Sequence, residues 1–155
     1  YNTEQNALKN ATRFMQEASC DAVKPQGGKS QAHILKKLVD SGIPTASHIG
    51  LTPHTIAMLG GFKIQGKTSE SAMRILEDAL AIQDAGCFML EFEAVPAEIA
   101  RIISKELDSL EKIVDADSKS LGDKMADKLN KRMADLEKKI DMFSRPGDIN
   151  IAVNA

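Results

Sequence analysis

At 155 residues, with 43 % apolar residues and a net charge of only −2, the chain is large enough for one core and gives no electrostatic reason to expect a nucleic acid or a membrane as partner. It is too short for a complete barrel of eight strand and helix units, which takes about 250 residues, so it accommodates part of one or a smaller fold. No apolar run approaches the ~20 residues of a membrane span, and the opening Tyr1-Asn2-Thr3-Glu4-Gln5 lacks the basic and apolar regions of a signal peptide, so a cytoplasmic location is expected.

Thr3 is the expected N-cap of a first helix whose apolar positions Ala7, Leu8, Ala11, Phe14, Met15 and Ala18 recur at helical spacing. Cys20 to Lys24 reads as a short strand ended by Pro25 and the pair Gly27-Gly28. Ser30 to Asp40 then places Ala32, Ile34, Leu35, Leu38 and Val39 on one side of a second helix, closed by Ser41-Gly42. Ile43 to His48 is the next strand. Thr52 and Pro53 suit the first turn of a helix that Gly60-Gly61 would end. Thr68 and Ser69 precede a helix to about Ala85 with a broad stripe of Ala72, Met73, Ile75, Leu76, Ala79, Leu80 and Ile82. Cys87 to Phe92 is the last strand, and Pro96 opens the helix after it. This alternation implies an α/β fold with about three βα units and parallel strands over residues 1–107. Cys20 and Cys87 sit in apolar runs without CxxC spacing, and are expected as buried free thiols in a reducing compartment.

After Leu107 the pattern changes. Between Asp108 and Asp141 there is no proline, one glycine, Gly122, and about half the residues are charged with signs interspersed. Acid-first pairs four apart, such as Asp108 with Lys112 and Asp127 with Lys131, support a long exposed helix. Its narrow apolar seam, Leu110, Val114, Leu121 and Met125 followed by Leu129, Met133, Leu136, Ile140 and Phe143, needs a partner. That partner is the chain's own α/β part, the second half of a hairpin hinged at Gly122, or another chain in a homo-oligomer. Residues 108–143 thus form a long helix or helical hairpin, and 144–155 a turn at Ser144-Arg145-Pro146-Gly147-Asp148 with a short helix.

Three stretches carry chemistry: Asp21-Ala22-Val23-Lys24 with Gly27-Gly28; His48-Ile49-Gly50-Leu51-Thr52-Pro53 with Leu59-Gly60-Gly61-Phe62-Lys63-Ile64-Gln65-Gly66-Lys67; and Leu90-Glu91-Phe92-Glu93-Ala94-Val95-Pro96. Each places a charged or imidazole side chain near a strand's carboxyl end, where α/β enzymes gather their ligands. Together they resemble the middle of ketopantoate hydroxymethyltransferase, from Tyr1 to about Leu107. The resemblance implies a partial (β/α) barrel and roles for four positions. Lys24 matches a lysine that contacts the keto acid. Gln26 stands where a Lys-x-Glu-Gly-Gly motif has a magnesium-site glutamate, and an amide supplies no charge to a hard dication. His48 matches the histidine of Gly-His-x-Gly-Leu-Thr-Pro, with Ser47 in place of the glycine, and is a substrate-contact candidate. Glu93 matches the glutamate of Leu-Glu-Cys-Val-Pro that acts as acid or base, with Ala94 in place of the cysteine. By strand alternation Glu91 faces the same side as Glu93, so the two carboxylates would repel or share a proton. Lys24 as a solvated strand-end lysine, His48 as a structural histidine and the glutamates as a solvent-facing edge stay open as alternatives. His33 and His54 read as surface or helix residues.

Two family elements have no counterpart here: early strands with two magnesium-binding aspartates would precede Tyr1, and a Gly-Ile-Gly-Ala-Gly loop is replaced by the charged helix. Pro146-Gly147-Asp148-Ile149 faintly resembles the family's C-terminal helix start. The implied activity is transfer of a hydroxymethyl group from 5,10-methylenetetrahydrofolate to 2-oxoisovalerate in pantothenate biosynthesis, with magnesium, the chain by itself being incomplete or inactive. The alternative is a non-catalytic scaffold assembling through the C-terminal helix. A third reading is a truncated or altered sequence, to which Tyr1 without an initiator methionine points.

Overall fold

The computed structural model of the protein describes residues 3–114 and, beyond them, positions 131, 134, 135 and 138. Helix α1, Glu4–Glu17, is opened by Thr3, whose hydroxyl accepts the Asn6 N–H at 3.2 Å. A 3₁₀ turn over Lys29–Gln31 leads into α2, Ala32–Asp40. Strand β1, Ala46–Gly50, is followed by a 3₁₀ turn at Pro53–Thr55, helix α3 over Ser69–Asp84, strand β2 over Met89–Glu93 and helix α4 over Ala97–Val114. At the start of α3 Thr68 and Ser71 cap each other reciprocally. The helix α4 runs through Leu107 without a break and takes in the first seam positions, Leu110 and Val114. Lys131, Ala134, Asp135 and Lys138 are helical and exposed, whereas the seam from Leu121 to Phe143 and the closing turn lie outside the described residues.

β1 and β2 pair in parallel, Ala46 with Met89 through Gly50 with Glu93. The segment expected as a strand at Cys20 to Lys24 instead joins β1 through two isolated parallel bridges, Val23 with Thr45 and Gln26 with His48. Pro25 explains the gap, because it has no N–H to donate to the ladder. The Ser47 hydroxyl bridges the interruption, bonding the carbonyls of Pro25 at 3.0 Å and Gly27 at 3.1 Å.

The helix expected from Pro53 to Gly60 is not formed. The Thr52 hydroxyl pairs sideways with that of Thr55 and caps nothing, and the chain proceeds by tight turns in which Met58 donates to Thr55 and Gly61 to Ile56. Two apolar clusters hold the fold. One joins Ile49 of β1 to Leu35 of α2, to Ile75, Leu76 and Ile82 of α3, and to Ile99, Ile102 and Ile103 of α4, with Leu90 and Phe92 against it. The other packs Ala7 and Ala11 of α1 on Ile34 and Leu38 of α2 and on Ile43. Phe14, expected on the inner stripe of α1, is 57 % exposed, and Cys20 and Cys87 are free but only partly buried. Among the described residues no helix is long and apolar enough to cross a membrane.

Candidate functional site

Residues in register across a parallel ladder present their side chains on one face. The bridges and pairs therefore put Gln26, His48 and Glu91 in one row across three segments, with Glu93 beside Gly50 two residues further and Lys24 two residues back. The opposite face carries Ile49, Leu90 and Phe92 into the helical core. All four candidate positions thus share the face turned away from the helices.

His48 is 3 % exposed, and neither of its ring nitrogens has a hydrogen-bond partner. Glu93 Oε2 lies 3.4 Å from His48 Nε2, an ion-pair distance without hydrogen-bond geometry. Lys24 Nζ is paired with Glu91, both side chains being about half exposed. That bond, and the charge behind it, hold the Glu91 carboxyl below the usual carboxylate range. The two glutamates, expected to repel or share a proton, take different partners: Glu91 a lysine and Glu93 an imidazole. Gln26 Oε1 accepts from His54 Nδ1 at 2.5 Å. Sequence reasoning left His54 without a role, since nothing in the chain links positions 28 apart until the loops are placed.

The backbone around these side chains is tightly set. Gly50 has φ +93°, and a Cβ there would lie 2.2 Å from the Glu93 carbonyl oxygen. Leu51 N–H donates to that oxygen at 2.8 Å, and Gln65 N–H donates to the Ala94 carbonyl at 2.8 Å. Ala94 itself holds φ +50°, a left-handed conformation unusual for a residue with a side chain. Gly28 packs against α3 so closely that a Cβ would meet Asp78 at 2.1 Å, while Asp78 accepts the Lys29 N–H at 2.8 Å. Burial raises the Asp78 pKa above its ordinary value. A cavity of about 340 Å³ opens at this end, lined among others by Gly27, Gly50, Thr52, His54, Ser71 and Arg74. It includes Ile49, Ile75 and His54 and none of Lys24, His48 or Glu93, so the cavity is not built from those three candidates.

The magnesium that the resemblance implies does not fit the donors described. Gln26 is neutral, its oxygen is engaged by His54, and among the described residues no three His, Cys, Asp or Glu side chains gather to hold a cation.

Comparison with known proteins gives the chain's family. Over 108 residues the chain is 82 % identical to the 3-methyl-2-oxobutanoate hydroxymethyltransferase 1 of Methylibium petroleiphilum, covering 70 % of this chain and 37 % of that protein. It is 50 % identical over 105 residues to the 3-methyl-2-oxobutanoate hydroxymethyltransferase of Heliobacterium modesticaldum, covering 68 % and 38 %, and 46 % identical over 103 residues to that of Emericella nidulans, covering 66 % and 30 %. The chain thus spans less than two fifths of the length of these curated relatives. The family model described as ketopantoate hydroxymethyltransferase matches residues 1–114, the whole of the continuously described α/β part, and the chain belongs to that family.

Proposed function

We propose that this chain carries the keto-acid face of a ketopantoate hydroxymethyltransferase, part of a (β/α) barrel that transfers a hydroxymethyl group from 5,10-methylenetetrahydrofolate to 2-oxoisovalerate. The observation that carries this reading is His48: a buried imidazole whose two nitrogens lack hydrogen bonds, 3.4 Å from a carboxylate at a strand's carboxyl end. Leaving a buried polar group unpaired costs about 1–3 kcal/mol, and an oxygen of the keto acid would accept from whichever ring nitrogen carries the proton, removing the cost at that nitrogen. In this reading Lys24 exchanges Glu91 for the substrate carboxylate, and His48 contacts the keto acid. Water releases the one-carbon unit from methylenetetrahydrofolate at the formaldehyde level, with tetrahydrofolate leaving. Glu93 takes the proton from the carbon next to the carbonyl, the resulting enolate carbon bonds the one-carbon unit, and the proton returns to the new alkoxide as the hydroxymethyl O–H. With Gln26 neutral and held by His54, the chain by itself binds magnesium weakly and turns over negligibly.

Adding 2-oxoisovalerate to the labelled chain should shift the NMR signals of His48 and Lys24. Glu93→Gln should keep the shifts while slowing deuterium exchange at the substrate's C3, and robust magnesium-dependent formation of ketopantoate by the chain would overturn the claim that it is incomplete. The scaffold alternative draws on the inward pairing of Lys24 with Glu91 and Gln26 with His54. It predicts no shift at His48.

A further inference from the structure

Gln26 stands level with His48 and Glu91, at the one position of the row for which the resemblance implies a metal ligand. Its carbonyl oxygen lies 2.5 Å from His54 Nδ1 and 3.5 Å from the His54 backbone nitrogen. A carboxamide oxygen only accepts, and it has two lone-pair directions. Both of these contacts come from one residue, the ring bond being the short one and the backbone contact sitting at the outer limit of hydrogen-bond length. A divalent cation at Gln26 would have to displace the imidazole N–H and free the first residues of the loop after β1, because His54 is the middle residue of the Pro53–Thr55 turn.

We propose that His54 is a positioning residue that closes the metal position of this chain: its Nδ1–H bond to Gln26 joins the segment carrying Lys24 to the turn after β1 directly, without a cation between them. The proposed keto-acid site lends this bond its functional meaning, but the bond stands on its own geometry. It follows that restoring a carboxylate at Gln26 is insufficient to restore a metal site, since His54 would hold the new carboxylate as it holds the amide.

Two measurements test this on the full chain. Nitrogen-15 NMR of labelled histidine should find His54 protonated at Nδ1 and bonded there, and the Nε2–H tautomer would overturn the proposal. Mn²⁺, used alone as a paramagnetic probe, should bind on the order of tenfold more tightly to the double variant Gln26→Glu with His54→Phe than to Gln26→Glu. Pairing Gln26→Glu with His54→Gln, which keeps a side-chain donor, should return the weaker binding. Equal Mn²⁺ affinity in Gln26→Glu and the phenylalanine double variant would also overturn it. If a variant fails to fold, the tautomer in the unaltered chain still decides. Failure of 2-oxoisovalerate to perturb His48 would remove the proposed function and leave the His54 bond untouched, so the two failures are distinguishable.

Discussion

Gly50 is where a single atom decides most. An added Cβ meets the Glu93 carbonyl oxygen at 2.2 Å and Val95 Cγ2 at 2.6 Å, at a φ of +93°. Gly42, at φ +79°, has open space around it. Gly50→Ala should therefore cost about 3 kcal/mol or more and Gly42→Ala only about 1 kcal/mol, read as the difference between their melting temperatures. Burial pushes the Cys87 thiol up to about 11, so its alkylation near pH 8 should run about tenfold or more slower than that of a peptide thiol with a pKa of about 8.5. The Glu91 carboxyl is depressed in the folded chain by Lys24. Its contribution is therefore present above the unfolded glutamate pKa of about 4.3 and is lost as pH falls through the lower folded value. Glu91→Gln should destabilise the chain at neutral pH, and the gap in melting temperature should close on acidification below pH ~4. The sequence alone named Lys24, His48 and Glu93 through motifs, but not the Lys24–Glu91 or Gln26–His54 pairs. Those depend on strand register, which no local pattern of residues expresses.

The elements that could be read correctly are those whose ends are chemically marked. Thr3 and Thr68 each accept the N–H of the third helical residue, Asn6 and Ser71, and α1 and α3 begin where those hydroxyls place them. Thr68→Ala should cost about 1 kcal/mol by removing the capping box, a loss that shows in the thermal melt. The same residue types misled at Thr52-Pro53, where the threonine hydroxyl found Thr55 in place of a backbone donor and the helix never extended. The strand expected at Cys20 to Lys24 is likewise reduced to a bridge at Val23, with a second bridge at Gln26 beyond Pro25. For the seam beyond Val114, the chain's own α/β part, the second half of a hairpin and another chain are the expected partners, and one pair of substitutions separates them. If the seam packs within the chain, charged residues at Leu129 and Leu136 should lower the melting temperature while light scattering gives an unchanged mass, whereas a fall in mass would mark an interchain coiled coil.

Across the whole α/β part, α2 is the shared wall. Leu35 enters the cluster of α3, α4 and the sheet, while Ile34 and Leu38 enter the cluster of α1. Leu35 is fully buried, so Leu35→Ala should cost about 2–5 kcal/mol and lower the melting temperature by roughly 5–15 °C. Because one helix serves both clusters, the melt should remain a single transition in calorimetry. Two resolved transitions would mean that the clusters unfold independently. Helical periodicity made both clusters largely legible beforehand. Phe14 was not, since periodicity finds an apolar face but not how far the neighbouring elements extend over it.

The two backbone bonds from Leu51 to Glu93 and from Gln65 to Ala94 have an evolutionary consequence. They pin both ends of the intervening loop to one turn, so the stretch between is a cassette hung from fixed anchors. Its outermost side chains, Met58 and Phe62, are 87 % and 79 % exposed, and their identity is decoupled from the placement of Glu93. Mutational drift and randomised libraries should accumulate freely at Met58 and Phe62, while Gly50, Leu51 and Ala94, together with Gly60 and Gly61 at φ +69° and +104°, stay constrained, and deep mutational scanning for folded chain would display that contrast.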